Sequence, residues 1–120
     1  FILDFNLNII ELELSNNQIE HISTKAFQSN LNMKILRLNL NKLHSLDKKL
    51  FNNLTNLIGL YINQNKLKKL EDNLFIDQKN LLELDLSFNH LEEVKNQIFY
   101  GLESLTKLNI KNNHLKRIEK

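Results

Sequence analysis

Two pairs of carboxylates, Glu11 with Glu13 and Glu83 with Asp85, are spaced by two residues, which puts both members on one face of an extended strand. Such pairs could carry general acid–base work or hold a cation. Asp85, Ser87 and His90 supply the residue types of a nucleophilic triad, and His90 and His114 are two imidazoles one repeat apart. Each reading meets an objection. Acid–base catalysis needs a desolvated site that tunes the acid, and Arg37 and Lys107 fall where they would neutralise the carboxylates. Nothing supplies an oxyanion hole for the triad. Zinc takes three or four ligands, and Lys66 occupies the position on the other side of His90. The expectation is no enzyme, no metal and no cofactor.

The elements that position these residues repeat. Asn17, Asn41, Asn65, Asn89 and Asn113 stand 24 residues apart in one apolar frame. In the second copy the frame is Leu36, Leu38, Asn41, Leu43, Leu46 and Phe51; in the third, Leu60, Ile62, Asn65, Leu67, Leu70 and Phe75. A fixed period of this size means a stacked solenoid, in which each rung buries its apolar side only against its neighbours. Alternation in Leu36-Arg37-Leu38 points both leucines inward and Arg37 outward, as a strand requires. An asparagine side chain both donates and accepts, so the repeated Asn can satisfy backbone groups of its own loop and the next rung. Phe27, Phe51, Phe75 and Phe99 should form a stacked column opposite the sheet.

The pattern L-x-x-L-x-L-x-x-N-x-L, with a Phe ten residues after the Asn, resembles the leucine-rich repeat family from Ile9 onward. Its 24-residue length looks like the typical subclass found in Toll-like receptor and related animal ectodomains. The resemblance implies a fold that is α/β by convention but β-dominated. It is a right-handed solenoid with a concave parallel sheet and a convex side of loops and 3₁₀ turns. Rungs should begin near residues 9, 33, 57, 81 and 105, with a partial rung at 1–8, all in one segment spanning 1–120.

Composition agrees with one continuous core: 42% of residues are hydrophobic and 25% charged, as in an ordinary globular domain. A net charge of +2 is too small to argue for nucleic acid or a membrane surface, and no apolar run is long enough to insert into a bilayer. Cysteine is absent, which in a small domain ordinarily points to a reducing compartment. The resemblance softens that reading, because leucine-rich ectodomains keep their disulfides in terminal caps, and caps are missing. Leu3 projects into the Phe column and Ile118 precedes a missing Phe. Both ends therefore read as cut from a longer protein. The alternative is a short protein whose open ends self-associate.

Two positions break the frame. Asn30 and Gln78 stand where Leu54 and Leu102 do. Leu31 should slip in to replace Asn30, while Gln78, followed by Lys79 and Asn80, should lie in the least well packed convex loop. Outward strand positions are Glu11, Glu13, Ser15; Ile35, Arg37, Asn39; Gly59, Tyr61, Asn63; Glu83, Asp85, Ser87; and Lys107, Asn109, Lys111. Same-column residues on adjacent rungs lie about 4.8 Å apart, so Arg37 should meet Glu13 and Tyr61, and Tyr61 should border Asp85. Tyr and Arg most often anchor protein interfaces; the competing reading is a solvated face of self-neutralising pairs. Phe88 replaces a polar residue at the rim. The candidate binding set is Arg37, Tyr61, Asp85 and Phe88, for a protein or peptide ligand. Asn53-Leu54-Thr55 is the one glycosylation sequon, and Asn53 should face solvent. The expected function is recognition without catalysis by an extracellular or cell-surface receptor or secreted immune-type protein. The runner-up is an intracellular adaptor or scaffold.

Overall fold

In the computed structural model of the chain, residues 8–118 are described. The expected partial rung, with Leu3 in its Phe column, lies outside them except for Asn8. Five three-residue strands, β1 (Glu11–Glu13), β2 (Ile35–Arg37), β3 (Gly59–Tyr61), β4 (Glu83–Asp85) and β6 (Lys107–Asn109), form one parallel sheet in the order β1-β2-β3-β4-β6. Each register pairs residues 24 apart, as in Leu36↔Leu60 and Leu60↔Leu84. The short strands β5 (Glu93–Val94) and β7 (Arg117–Ile118) make a second parallel pair, and a 3₁₀ turn covers Asn96–Phe99. Among the described residues there is no α-helix; turns close the convex side. The protein is a β-dominated solenoid of stacked rungs.

Inward leucines fill the space between sheet and turns. Leu36, Leu60 and Leu84 are fully buried, and Phe27, Phe51 and Phe75 make the opposite wall. The rings of Phe51 and Phe75 stack at 6.0 Å between centroids with 14° between planes. Towards the final rung the column opens: Phe99 is only partly buried, and Leu108, equivalent to the buried Leu84, is 42% exposed.

The repeated Asn is a backbone ladder. Asn65 Nδ2 donates to Leu38 O at 3.0 Å and to Ile62 O at 3.2 Å, while its Oδ1 accepts the Leu43 N–H at 3.0 Å. Asn41, Asn89 and Asn113 repeat this arrangement one rung apart. Asn17 donates to Leu14 O and Ser15 O. A second ladder, on the flank before the sheet, has the same period: Asn32 Nδ2 donates to Asn8 Oδ1, Asn56 to Leu31 O, and Asn80 to Thr55 O.

The expectation fails at the first of the two frame-breaking positions. Asn30 is itself buried, 1% exposed, and Leu31 is 46% exposed, so no slip occurs. The turn dictates this: Asn30 N–H bonds Phe27 O and Met33 N–H bonds Asn30 O, the same pattern that Leu54 makes with Phe51 and Leu57. Slipping by one residue would break these bonds, so the backbone turns position 30 inward whatever its side chain. Gln78 is fully buried, and its Oε1 has no protein partner. Its Nε2 donates to Phe51 O at 2.7 Å and Leu54 O at 3.3 Å. Neither amide atom of Asn30 has a protein partner.

Candidate functional site

The outer face of the sheet carries side chains that the frame does not consume. Arg37, in the middle position of the second rung, reaches back across β1: its guanidinium lies 3.4 Å from Glu11 Oε1 and 3.8 Å from Glu13 Oε2. On its other side Arg37 sits over the Tyr61 ring at 5.4 Å, a cation–π distance. Tyr61 bends over its own strand. A Cβ on Gly59 would stand 3.1 Å from the Tyr61 ring and 3.2 Å from its hydroxyl, so the missing side chain gives the ring its seat. From there the Tyr61 hydroxyl donates to Glu83 Oε2 at 3.0 Å.

Tyr61 therefore meets Glu83 rather than Asp85, although Asp85 is its register partner. Asp85 folds instead onto its own strand end, where Oδ1 accepts the Ser87 hydroxyl at 2.6 Å and the Ser87 N–H at 2.9 Å. Ser87 is buried by this arrangement and is not an open contact position. Glu13 does the same with the Ser15 N–H at 2.8 Å. Hydrogen bonding from the Ser15 side chain and then its backbone, with a smaller contribution from Arg37, holds the Glu13 carboxyl below its ordinary range. Burial, then the Glu83 hydrogen bond, pushes the Tyr61 phenol upward.

Phe88 stands at the rim, 53% exposed, with φ 54°. The equivalent residues Asn16, Leu40, Gln64 and Asn112 are all left-handed too, with φ between 55° and 58°. Asn tolerates that region, whereas a bulky side chain there is unusual. The fold imposes the conformation, and Leu40 and Phe88 accept it while leaving much of their apolar surface in water. The period of position 88 in the sequence carried this signal, as did Gly59 for the seat of Tyr61.

Glu83 and Asp85 line an open depression beside Lys107, Asn109 and Lys111. Lys107 faces Glu83 in register, but no ion pair within 4.0 Å joins them among the described residues. His90 and His114 approach to 5.0 Å between centroids. Among the described residues no group of three or more His, Cys, Asp or Glu is placed to hold a metal ion, and no helix is long and apolar enough to cross a membrane. Asn53 is exposed on the convex side with φ 68°, and its N–H bonds Asp77.

A family model described as BspA type leucine-rich repeat region matches residues 4–120 in six copies. The chain belongs to the leucine-rich repeat family. Among solved structures, the leucine-rich repeat domain of APL1B is similar with TM-score 0.85 and 27% identity over 92% of this chain and 32% of that one. The TLR13–ssRNA13 complex gives TM-score 0.85 and 34% identity, over 89% of this chain and 15% of that one. The Drosophila Toll–Spatzle complex gives TM-score 0.81 and 28% identity, over 87% and 15%. This leucine-rich chain thus spans a third or less of the length of each. No curated protein matches it. Because one similar structure is a complex with single-stranded RNA, a net charge of +2 is no ground for excluding a nucleic-acid partner.

Proposed function

We propose that this leucine-rich repeat segment is a non-catalytic recognition module whose concave face binds a protein or peptide through Arg37, Tyr61, Asp85 and Phe88. The observation that carries the reading is the preorganised Arg37–Tyr61 pair at the centre of the sheet. Glu11 and Glu13 fix it from one side and Glu83 from the other. Rigid Arg and Tyr side chains lose little freedom on binding and are the usual anchors of interfaces. Phe88 supports the same face, since a bulky residue in left-handed backbone that leaves about half its surface in water suggests a use outside the fold. The neighbours Toll, found in complex with Spatzle, and TLR13 favour an extracellular or cell-surface setting. An N-glycan on Asn53 would there leave the sheet open.

The test uses three baits in parallel: the parent chain, Arg37→Ala/Tyr61→Ala, and the convex pair Lys25→Ala/Lys49→Ala. Partners captured from the source's own extracellular fluid should disappear with the first variant and persist with the second. Loss with the convex pair alone would move recognition to the turns. Capture only from cytosol would favour the intracellular adaptor.

A further inference from the structure

We propose that the flank along which the chain leaves the sheet binds a linear sulfated polysaccharide. Lys42, Lys66, His90 and His114 follow one another in a single column with no acidic member. Their backbone is locked rung to rung: the N–H groups of these four residues donate to Ile19, Leu43, Leu67 and Leu91 O at 2.8–2.9 Å. Their side chains are therefore displayed at the rung spacing of about 4.8 Å, and the two imidazoles stand 5.0 Å apart. Between them the inward residues Leu43 and Leu67 are buried, so the next exposed column on the same flank, Glu20, His44, Lys68, Glu92 and Lys116, is mixed in charge, with Lys68 and the neighbouring Lys69 at its centre.

Most of the positive charge is uncommitted. Glu20, Glu92 and Glu93 are the acidic residues of this flank, and the one ion pair among its described residues joins Lys116 to Glu92 at 4.0 Å. Lys42, Lys66, Lys68 and Lys69 have no carboxylate within 4.0 Å among the described residues. Holding several unpaired ammonium groups at a fixed short pitch costs repulsion, which a polymer with closely repeated anions relieves. The two columns offer no aromatic side chain beyond their imidazoles, and Phe88 belongs to the concave rim. A single-stranded nucleic acid ordinarily adds base stacking on such rings, so the strip fits sulfates on a sugar chain better. The inference does not rest on the concave-face reading.

Titration of a heparin octasaccharide at low salt tests it with two triple variants of equal charge change. Lys42→Ala/Lys66→Ala/Lys68→Ala should weaken binding by at least about tenfold, because polyanion affinity falls steeply with each cation removed. Lys25→Ala/Lys34→Ala/Lys79→Ala, on other faces, should change it by less than about twofold. Equal losses in both would reduce the effect to net charge, and no loss in the first would remove the strip; either overturns the proposal. An oligouridylate of matched length is the second arm. It should bind more weakly than the octasaccharide, and Phe88→Ala should leave both unchanged. Tighter oligouridylate binding that the Lys42→Ala/Lys66→Ala/Lys68→Ala variant abolishes would make this a nucleic-acid site instead.

Discussion

Asn65→Ala removes one rung of the asparagine ladder, and the surrounding bonds say what should follow. Three carbonyls lose a donor, yet none is left bare. Leu38 O keeps Asn41 Nδ2 at 3.0 Å, Ile62 O keeps Asn89 Nδ2 at 3.0 Å, and Asn63 O keeps the Leu40 N–H at 3.1 Å. The Leu43 N–H is different, since Asn65 Oδ1 is its one acceptor among the described residues and the site is buried. An orphaned buried donor costs about 1–3 kcal/mol, and each of the two amide hydrogens loses bonding of about 1 kcal/mol net, so the total should be about 3–5 kcal/mol. Asn17→Ala is the internal control. Asn17 is exposed and donates to Leu14 O and Ser15 O, so its removal should cost about 1 kcal/mol or less. Urea denaturation followed by circular dichroism gives both values, provided that a second probe reports the same transition. Hydrogen exchange should show the Leu43 amide losing protection selectively. An Asn65→Ala chain as stable as the parent, or equal losses at both sites, would refute the backbone role of the ladder.

Asn30→Leu should stabilise the chain by about 1–3 kcal/mol, because it removes a buried amide with no protein partner. The same change at Gln78, which forfeits two bonds to carbonyls, should give no such gain; thermal melts of the two variants decide. Gly101→Ala should destabilise by about 1–3 kcal/mol, since Gly101 has φ 96° and a Cβ would stand 2.4 Å from Ile76 O; failure to see a loss would mean that the loop relocates freely. In Tyr100→Phe, which leaves Tyr61 as the one tyrosine, absorbance titration should find the phenol ionising above its ordinary value of 10.0. The folded pKa is the raised one, so the associated stability is intact below about pH 10 and is lost as pH rises through the folded value. Glu83→Gln should move the titration back down, and no movement would deny the hydrogen bond its part.

The rungs were legible because one physical requirement repeats: every inward position must meet an equivalent one next door, and the sheet pairs residues at the same interval as the sequence. The burial of Asn30 was not legible, because side-chain polarity argued for a slip while the turn's own hydrogen bonds fixed the backbone. Column arithmetic placed Tyr61 between Arg37 and Asp85 but did not show that its hydroxyl would bond Glu83. Register relates Cα atoms, whereas the ring follows the space left by Gly59. Short side chains such as Asp85 have an alternative that columns do not show, the N–H two residues further on. The second ladder, from Asn8 to Asn80, could have been read from its spacing alone.

The concave-face claim is tested most directly by dissociation constants for a purified captured partner, measured by surface plasmon resonance against Arg37→Ala, Tyr61→Ala, Asp85→Ala, Phe88→Ala and Lys49→Ala. Arg37→Ala and Tyr61→Ala should each weaken binding by at least about 2 kcal/mol, roughly thirtyfold, mostly through faster dissociation. Phe88→Ala should follow closely, Asp85→Ala should be milder because its carboxylate is already engaged by Ser87, and Lys49→Ala should change almost nothing. Unaltered affinity in the four sheet-face variants, with a loss in Lys49→Ala, would contradict the claim and place recognition on the convex side.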